Sequence, residues 1–183
     1  MNWTIPGTTL TDRRDNADHV EEIFHSMFLA GGMVLSQVSA VTGLEAYTIQ
    51  NWVKRGFLAP PKNKKYDLAQ VCRITTINML KGALPLEKIC SLMQYINGDL
   101  TDETDDIIDD AALYFMFVKL AARARHIGGN QSWEEAIENA MSAYAEPIPG
   151  ARIRVEKVLR VMLMAYISSR FKLQVDAMVD ELH

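Results

Sequence analysis

The sequence predicts an all-α protein with room for one small hairpin at most. Apolar residues recur at i, i+3, i+4 and i+7 along most of the chain, the spacing of one helix face. Glycines and prolines fall between those stretches, and serine or another capping residue stands at the start of several. One stretch resists the pattern: Phe57-Leu-Ala-Pro-Pro-Lys-Asn-Lys-Lys-Tyr66, which its double proline keeps out of a helix.

Val20, Ile23, Phe24, Met27 and Phe28 share a face of a first helix, stopped by Gly31-Gly32. A second helix fits Ser36 to Thr42 with Ser36 as its cap, and Gly43 breaks it. A third runs from about Glu45 to Lys54, ending before Gly56. Residues 57–66 read as an extended loop or short hairpin. Helices then fit Asp67–Lys81 and Leu86–Ile96, divided by Gly82 and Pro85. Thr104 is placed to cap a helix reaching His126, where the helix dipole suits a protonated histidine. Gly128-Gly129 close that helix. Ser132 with Glu135 reads as a capping box, and Trp133, Ala136, Ile137, Ala140, Met141 and Tyr144 form the stripe behind it. After Pro147 and Pro149, a last helix extends from about Arg152 to Leu182.

Composition excludes several classes. The 183 residues are 49% apolar and 23% charged, enough for one large domain or two small ones with a core each. No apolar run approaches the ~18 residues of a membrane span, and the opening Met-Asn-Trp-Thr-Ile-Pro-Gly lacks the order of a signal peptide. Two cysteines, Cys72 and Cys90, are too few for a disulfide framework. Free thiols and a cytoplasmic setting are therefore expected.

The net charge of −4 hides a segregation: residues 1–33 carry −3, 34–98 carry +5, 99–110 carry −7 and 111–183 carry +1. The acidic strip fits a solvated loop leading into a helix N-terminus. The basic block coincides with a motif. Leu35 to Trp52 has helix-turn-helix spacing, with Val38, Leu44, Ile49 and Trp52 as the contacts between two crossing helices and Gly43 at the turn. That arrangement leaves Ala46, Tyr47, Thr48, Gln50, Asn51 and Lys54 of the second helix facing outward. Gln and Asn suit adenine edges, and Thr, Tyr and Lys suit phosphates. Lys62, Asn63, Lys64 and Lys65 then place four donors in a row, as a wing gripping a neighbouring backbone requires. The competing interpretation is a helical hairpin that merely packs, with a lysine-rich solvated turn.

Val38-Ser-Ala-Val-Thr-Gly43, Thr48-Ile49, Lys54-Arg-Gly-Phe-Leu-Ala-Pro-Pro61 and Tyr66 resemble the N-terminal domain of MerR-type regulators. Asp67–Lys81 and the helix beginning Leu86-Glu-Lys-Ile89 resemble the helix pair that follows there. The whole chain also resembles a bacterial family of domains of unknown function with a MerR-like head. The likeness implies a winged helix-turn-helix, and it departs at two points. Gln50 and Asp67 stand where MerR proteins usually carry arginines, so Asp67 is expected to cap the next helix and Lys64 and Lys65 to supply the missing charge. The long dimerisation helix that follows a MerR head is also interrupted here, at Asn97-Gly98-Asp99.

The expected organisation is an N-terminal helical extension (1–33), a MerR-like DNA-binding domain (34–98) and an all-α C-terminal domain (99–183). The expected function is sequence-specific, regulatory binding of double-stranded DNA by a homodimer. Tyr47, Thr48, Gln50 and Asn51 would enter the major groove, while Lys54, Arg55, Lys62, Lys64 and Lys65 neutralise phosphates. Ser36, Gln37, Asn63 and Tyr66 complete the DNA-binding set. Two heads would meet half-sites about one DNA turn, roughly 34 Å, apart. Dimerisation is assigned to the C-terminal helices, because Ala111–Val118 and Val158–Ile167 are apolar nearly all round. The alternative is a protein-interaction module that reuses the MerR-like fold without binding DNA. Val161-Met-Leu-Met164 and Met178 read as core, or else as the lining of a small-effector pocket. His19, Glu22 and His25 lack a nearby fourth zinc ligand, and no nucleophile–base pair or phosphate loop is found. Neither an enzyme, a metal nor a cofactor is expected.

Overall fold

The computed structural model describes residues 3–13, 16–98, 100, 105–124 and 132–182. These form mostly helix, with two small antiparallel strand pairs. In chain order the elements are β1 (Trp3–Thr4), β2 (Thr11–Asp12), α1 (Ala17–Met27), β3 (Met33–Val34), α2 (Leu35–Thr42), α3 (Ala46–Lys54) and β4 (Lys65–Tyr66). Then follow α4 (Leu68–Leu80), α5 (Leu86–Asn97), α6 (Asp110–Ala124), α7 (Trp133–Ala140) and α8 (Ala151–Asp180). Among the described residues no helix is long and apolar enough to cross a membrane.

The centre of the molecule is α6. Leu113, Tyr114, Phe117, Val118, Leu120 and Ala121 are wholly buried on it, so it needs neighbours on every side. Those neighbours are α1, α4, α7 and α8 of the same chain. Cover for the Ala111–Val118 run, expected above from a second copy, is thus supplied from within. Phe24 of α1 sets its ring 5.3 Å from Tyr114 and 5.6 Å from Phe115, the latter edge-on. The N-terminal extension therefore packs on its own chain, and one core joins residues on both sides of the 98/99 boundary.

The hairpin of β1 and β2 was not legible as a helix and is not one. Trp3 pairs with Asp12 and Thr4 with Thr11, and alternation turns Trp3 and Ile5 into the core. The segment is pinned by side chains far along the sequence. Asn78 Nδ2 donates to the carbonyls of Gly7 (2.9 Å) and Thr42 (2.8 Å), and the Tyr114 hydroxyl donates to that of Pro6 (2.9 Å).

Several predicted helix starts shift. Ser36 lies inside α2 and does not cap it; Gln37 Oε1 accepts from the Val34 amide at 3.0 Å instead. Asp67 caps α4 as expected, its Oδ1 accepting from the Gln70 amide at 2.8 Å while Gln70 Oε1 accepts from the Asp67 amide at 3.0 Å. Thr104, His126 and Gly128-Gly129 lie outside the described residues. Helix α6 begins at Asp110, with Asp109 Oδ1 accepting from the amides of Ala111 and Ala112. Ser132 accepts from the Glu135 amide as a cap, but α7 ends at Ala140. Met141 and Tyr144 continue its stripe from a turn, and the Tyr144 hydroxyl donates to Ile107 O at 2.7 Å.

Helices α4 and α6 are bolted together by an ion pair. Arg73 of α4 reaches Asp110 of α6 at 3.0 Å, the two side chains 8% and 14% exposed. Arg73 Nε also donates to Phe57 O, and Asn97 Nδ2 donates to Asp110 Oδ1. Burial pushes the Asp110 carboxyl above the usual carboxylate range, with Arg73 pulling it back in part.

Helix α8 is buried along Ala151, Val155, Val158, Leu159, Met162, Leu163, Ala165 and Tyr166, and exposed beyond Tyr166 except for half-buried Ile167 and Ser169. The methionine run splits accordingly. Met162 faces the core, while Met164 and Met178 face solvent.

Candidate nucleic-acid interface

The apolar contacts expected between α2 and α3 are present: Val38, Leu44, Ile49 and Trp52 are all buried. Between the two helices Gly43 takes a left-handed conformation, φ 69°, and its amide donates to Ser39 O. With Ile49 and Trp52 turned inward, the helical period turns the rest of α3 outward. Tyr47, Gln50, Asn51 and Lys54 are exposed at i, i+3, i+4 and i+7, and Thr48 is half-buried beside them.

The lysine-rich stretch folds as a tight turn. The Lys65 amide donates to Lys62 O at 2.9 Å, and β4 then pairs with β3, Lys65 opposite Val34 and Tyr66 opposite Met33. Asn63 and Lys64 both take positive φ, 50° and 62°, the combination a two-residue type I′ turn requires. Asparagine tolerates this conformation; lysine is strained there by about 1–2 kcal/mol. Because β3 runs directly into α2, the turn is anchored to the start of the helix pair. Gln70 adds a second anchor, its Nε2 donating to Ala59 O (3.2 Å) and Pro60 O (3.1 Å). That clamp was missed in the sequence, although Asp67-x-x-Gln70 is a capping-box spacing that points to it.

Of the predicted site residues, Ser36, Gln37, Tyr47, Gln50, Asn51, Lys54, Arg55, Lys62, Asn63, Lys64 and Lys65 are exposed. Ser36 of α2, Gln50 of α3 and Lys64 of the turn come together on the wall of one open groove of about 550 Å³. Three residues take roles other than those expected. Tyr66 is 3% exposed, because strand alternation sends Lys65 outward and Tyr66 into the core. It anchors the turn and presents no surface. Gln37 spends its carbonyl oxygen on the Val34 amide. Arg55 Nη2 is held 2.8 Å from Glu87 Oε1, with its guanidinium 4.5 Å from the centre of the Phe57 ring.

His19, Glu22 and His25 do not converge on one point. His19 Nδ1 lies 3.1 Å from Asp12 Oδ1, whereas His25 faces Glu21 at 3.8 Å. Among the described residues no group of three His, Cys, Asp or Glu side chains is arranged to hold a metal ion. Burial pushes the Cys72 thiol well up, with Asp109 and Asp110 adding to it, and pushes Cys90 up as well.

Lys64 carries the clearest local test. Lys64→Gly is expected to raise thermal stability by about 0.5–1 kcal/mol by relieving the positive φ. An unchanged or lower melting temperature would show that the turn is not strained at this residue.

Fold and surface together define a helical chain that displays a polar helix face beside a lysine-rich turn. The chain belongs to the DUF1836 family, a domain of unknown function, whose model matches residues 18–117. The matched stretch runs from α1 into α6, so it contains the Phe24–Tyr114–Phe115 cluster as well as the polar face. The chain is also similar to the uncharacterised protein YkrK of Bacillus subtilis (strain 168), 30% identical over 84 residues. That match covers 44% of this chain and 36% of YkrK, little more than a third of the relative's length. No solved structure matches the chain.

Proposed function

We propose that this protein is a sequence-specific DNA-binding transcriptional regulator, cytoplasmic and homodimeric, with α2, α3 and the 57–66 segment acting as a MerR-like winged helix-turn-helix. The observation that carries this is the outward set Tyr47, Gln50, Asn51 and Lys54 on α3, standing beside a Lys62–Lys65 turn fixed to the same core. Such a face supplies base-reading amides from a helix and phosphate-neutralising cations from a neighbouring turn. The activity proposed is binding, with no catalytic step.

Binding to a random duplex pool at two salt concentrations tests it. Affinity is expected to fall steeply with salt. Replacing Lys64 and Lys65 together by Ala is expected to weaken all sequences and reduce the salt slope by about 2. Gln50→Ala or Asn51→Ala is expected to shift the preferred sequence at about 1–3 kcal/mol each. No retention of DNA at low salt would overturn the proposal.

A second reading, a protein-interaction module on the same scaffold, is favoured by one observation. Arg55 is committed to Glu87, and Gln50 and Asp67 already stand where the MerR likeness calls for arginines, so three cations are withdrawn from the phosphate set. Salt-insensitive binding to a polypeptide, with none to DNA, distinguishes it.

A further inference from the structure

Helix α8 has two apolar faces, and its own chain covers only one. The inner face is buried as far as Tyr166. The outer face carries Val161, Met164, Ser168, Phe171, Val175 and Met178, with Leu182 in the turn just past the helix end, all exposed. Their spacing alternates 3, 4, 3, 4, 3, 4, which is the seam of a left-handed coiled coil and differs from the 3.6 period of an ordinary surface helix. Phe171, Val175 and Met178 are 63%, 56% and 59% exposed, an arrangement that leaves large side chains in water unless a second helix lies along them.

Charge along the helix selects the partner. From Ala151 to Lys172 the charged residues are Arg152, Arg154, Lys157, Arg160, Arg170 and Lys172 against Glu156 alone. From Leu173 to Leu182 they are Asp176, Asp180 and Glu181, with no cation. Two copies side by side in parallel set carboxylates against carboxylates. Two copies in antiparallel over residues 161–182 bring Asp176 of each level with the Arg170–Lys172 stretch of the other, with Arg152–Arg160 lying beyond the overlap.

We infer that the outer face of α8, residues 161–182, is the contact for a second copy of this chain, paired as an antiparallel coiled coil. The seam closes in alternating layers when Phe171 meets Val175 of the second copy, Ser168 meets its Met178 and Met164 meets its Leu182. In that register Asp176 lies level with Arg170 of the second copy. This names the contact for the homodimer proposed above and rests on that part of the reading. It relocates the interface from the buried Ala111–Val118 run to a stretch of helix outside the family match.

The test is sedimentation equilibrium of the full chain without DNA, so its outcome is separate from that of the DNA titration. The native chain is expected at twice its 20.6 kDa mass. Val175→Glu and Met178→Glu, both at exposed positions, are expected to raise the dissociation constant at least about tenfold with the helical circular dichroism kept. For direction, Lys172→Cys is expected to link two chains on oxidation. Ser168→Cys is not, because antiparallel pairing separates its two copies by about ten residues, or about 15 Å. A monomer at all concentrations, a larger assembly, association unmoved by both glutamates, or linkage through Ser168→Cys would each overturn the inference.

Discussion

Asp110→Ala is expected to destabilise the fold by about 3–5 kcal/mol, the usual cost of stranding one member of a buried ion pair. Arg73→Met is expected to cost less, and the difference is to depend on pH. Arginine cannot shed its proton inside a protein, so Arg73 without Asp110 remains a buried cation. Asp110 without Arg73 has an escape, because a carboxyl already pushed up by burial can take a proton. A carboxyl whose pKa is raised in the folded state contributes most below its ordinary range, and that contribution is lost as pH rises through the folded value. Arg73→Met is therefore expected to lose stability as pH rises above the ordinary carboxylate range, while Asp110→Ala is not. Replacing both, Arg73→Met with Asp110→Leu, is expected to recover most of the loss. Urea unfolding of the three variants in mild acid and at neutral pH checks this, and a double variant as weak as Asp110→Ala would refute it.

Gly7→Ala is the second large effect. Gly7 has φ +75°, and a Cβ there meets the backbone oxygen of Thr75 at 2.2 Å and its Cγ2 at 2.9 Å. The left-handed conformation alone costs an alanine about 1–2 kcal/mol. Overpacking against a helix backbone adds about 1–3 kcal/mol. Gly56 offers the control, since its φ is +74° and a Cβ there touches nothing within 4 Å. Gly56→Ala is expected to cost only the conformational part. Thermal melts of the two variants separate the contributions, and equal losses would mean that Thr75 gives way freely.

What was legible in the sequence was whatever is local. Spacing alone located α1, α3, α4, α5 and α8, and Asp67 announced its own role as a cap. The face of α3 was legible for the same reason, because Ile49 and Trp52 fix which side looks outward. Roles set by distant partners were not legible. Arg55 looks free until Glu87, 32 residues on, is folded beside it. Two-residue strands such as β1 and β2 carry too little alternation to be seen. The apolar run of α6 correctly announced all-round burial, but nothing in its pattern says whether the cover belongs to the same chain or another. Tyr66 could have been placed inside, since an exposed Lys65 in a strand dictates a buried neighbour.

The pinning of the amino-terminal hairpin has a consequence for how the chain is made. Residues 3–12 leave the ribosome before their anchor does, for the Tyr114 hydroxyl that holds Pro6 lies 108 residues later. At about 5–20 residues per second, the hairpin segment waits roughly 5–20 s for that partner. Throughout that interval α2 and α3 can close on local contacts while the hairpin still lacks its Tyr114 anchor. Translation order and burial order thus run in opposite directions here, and a segment made well before α6 is fully secured only after α6 exists.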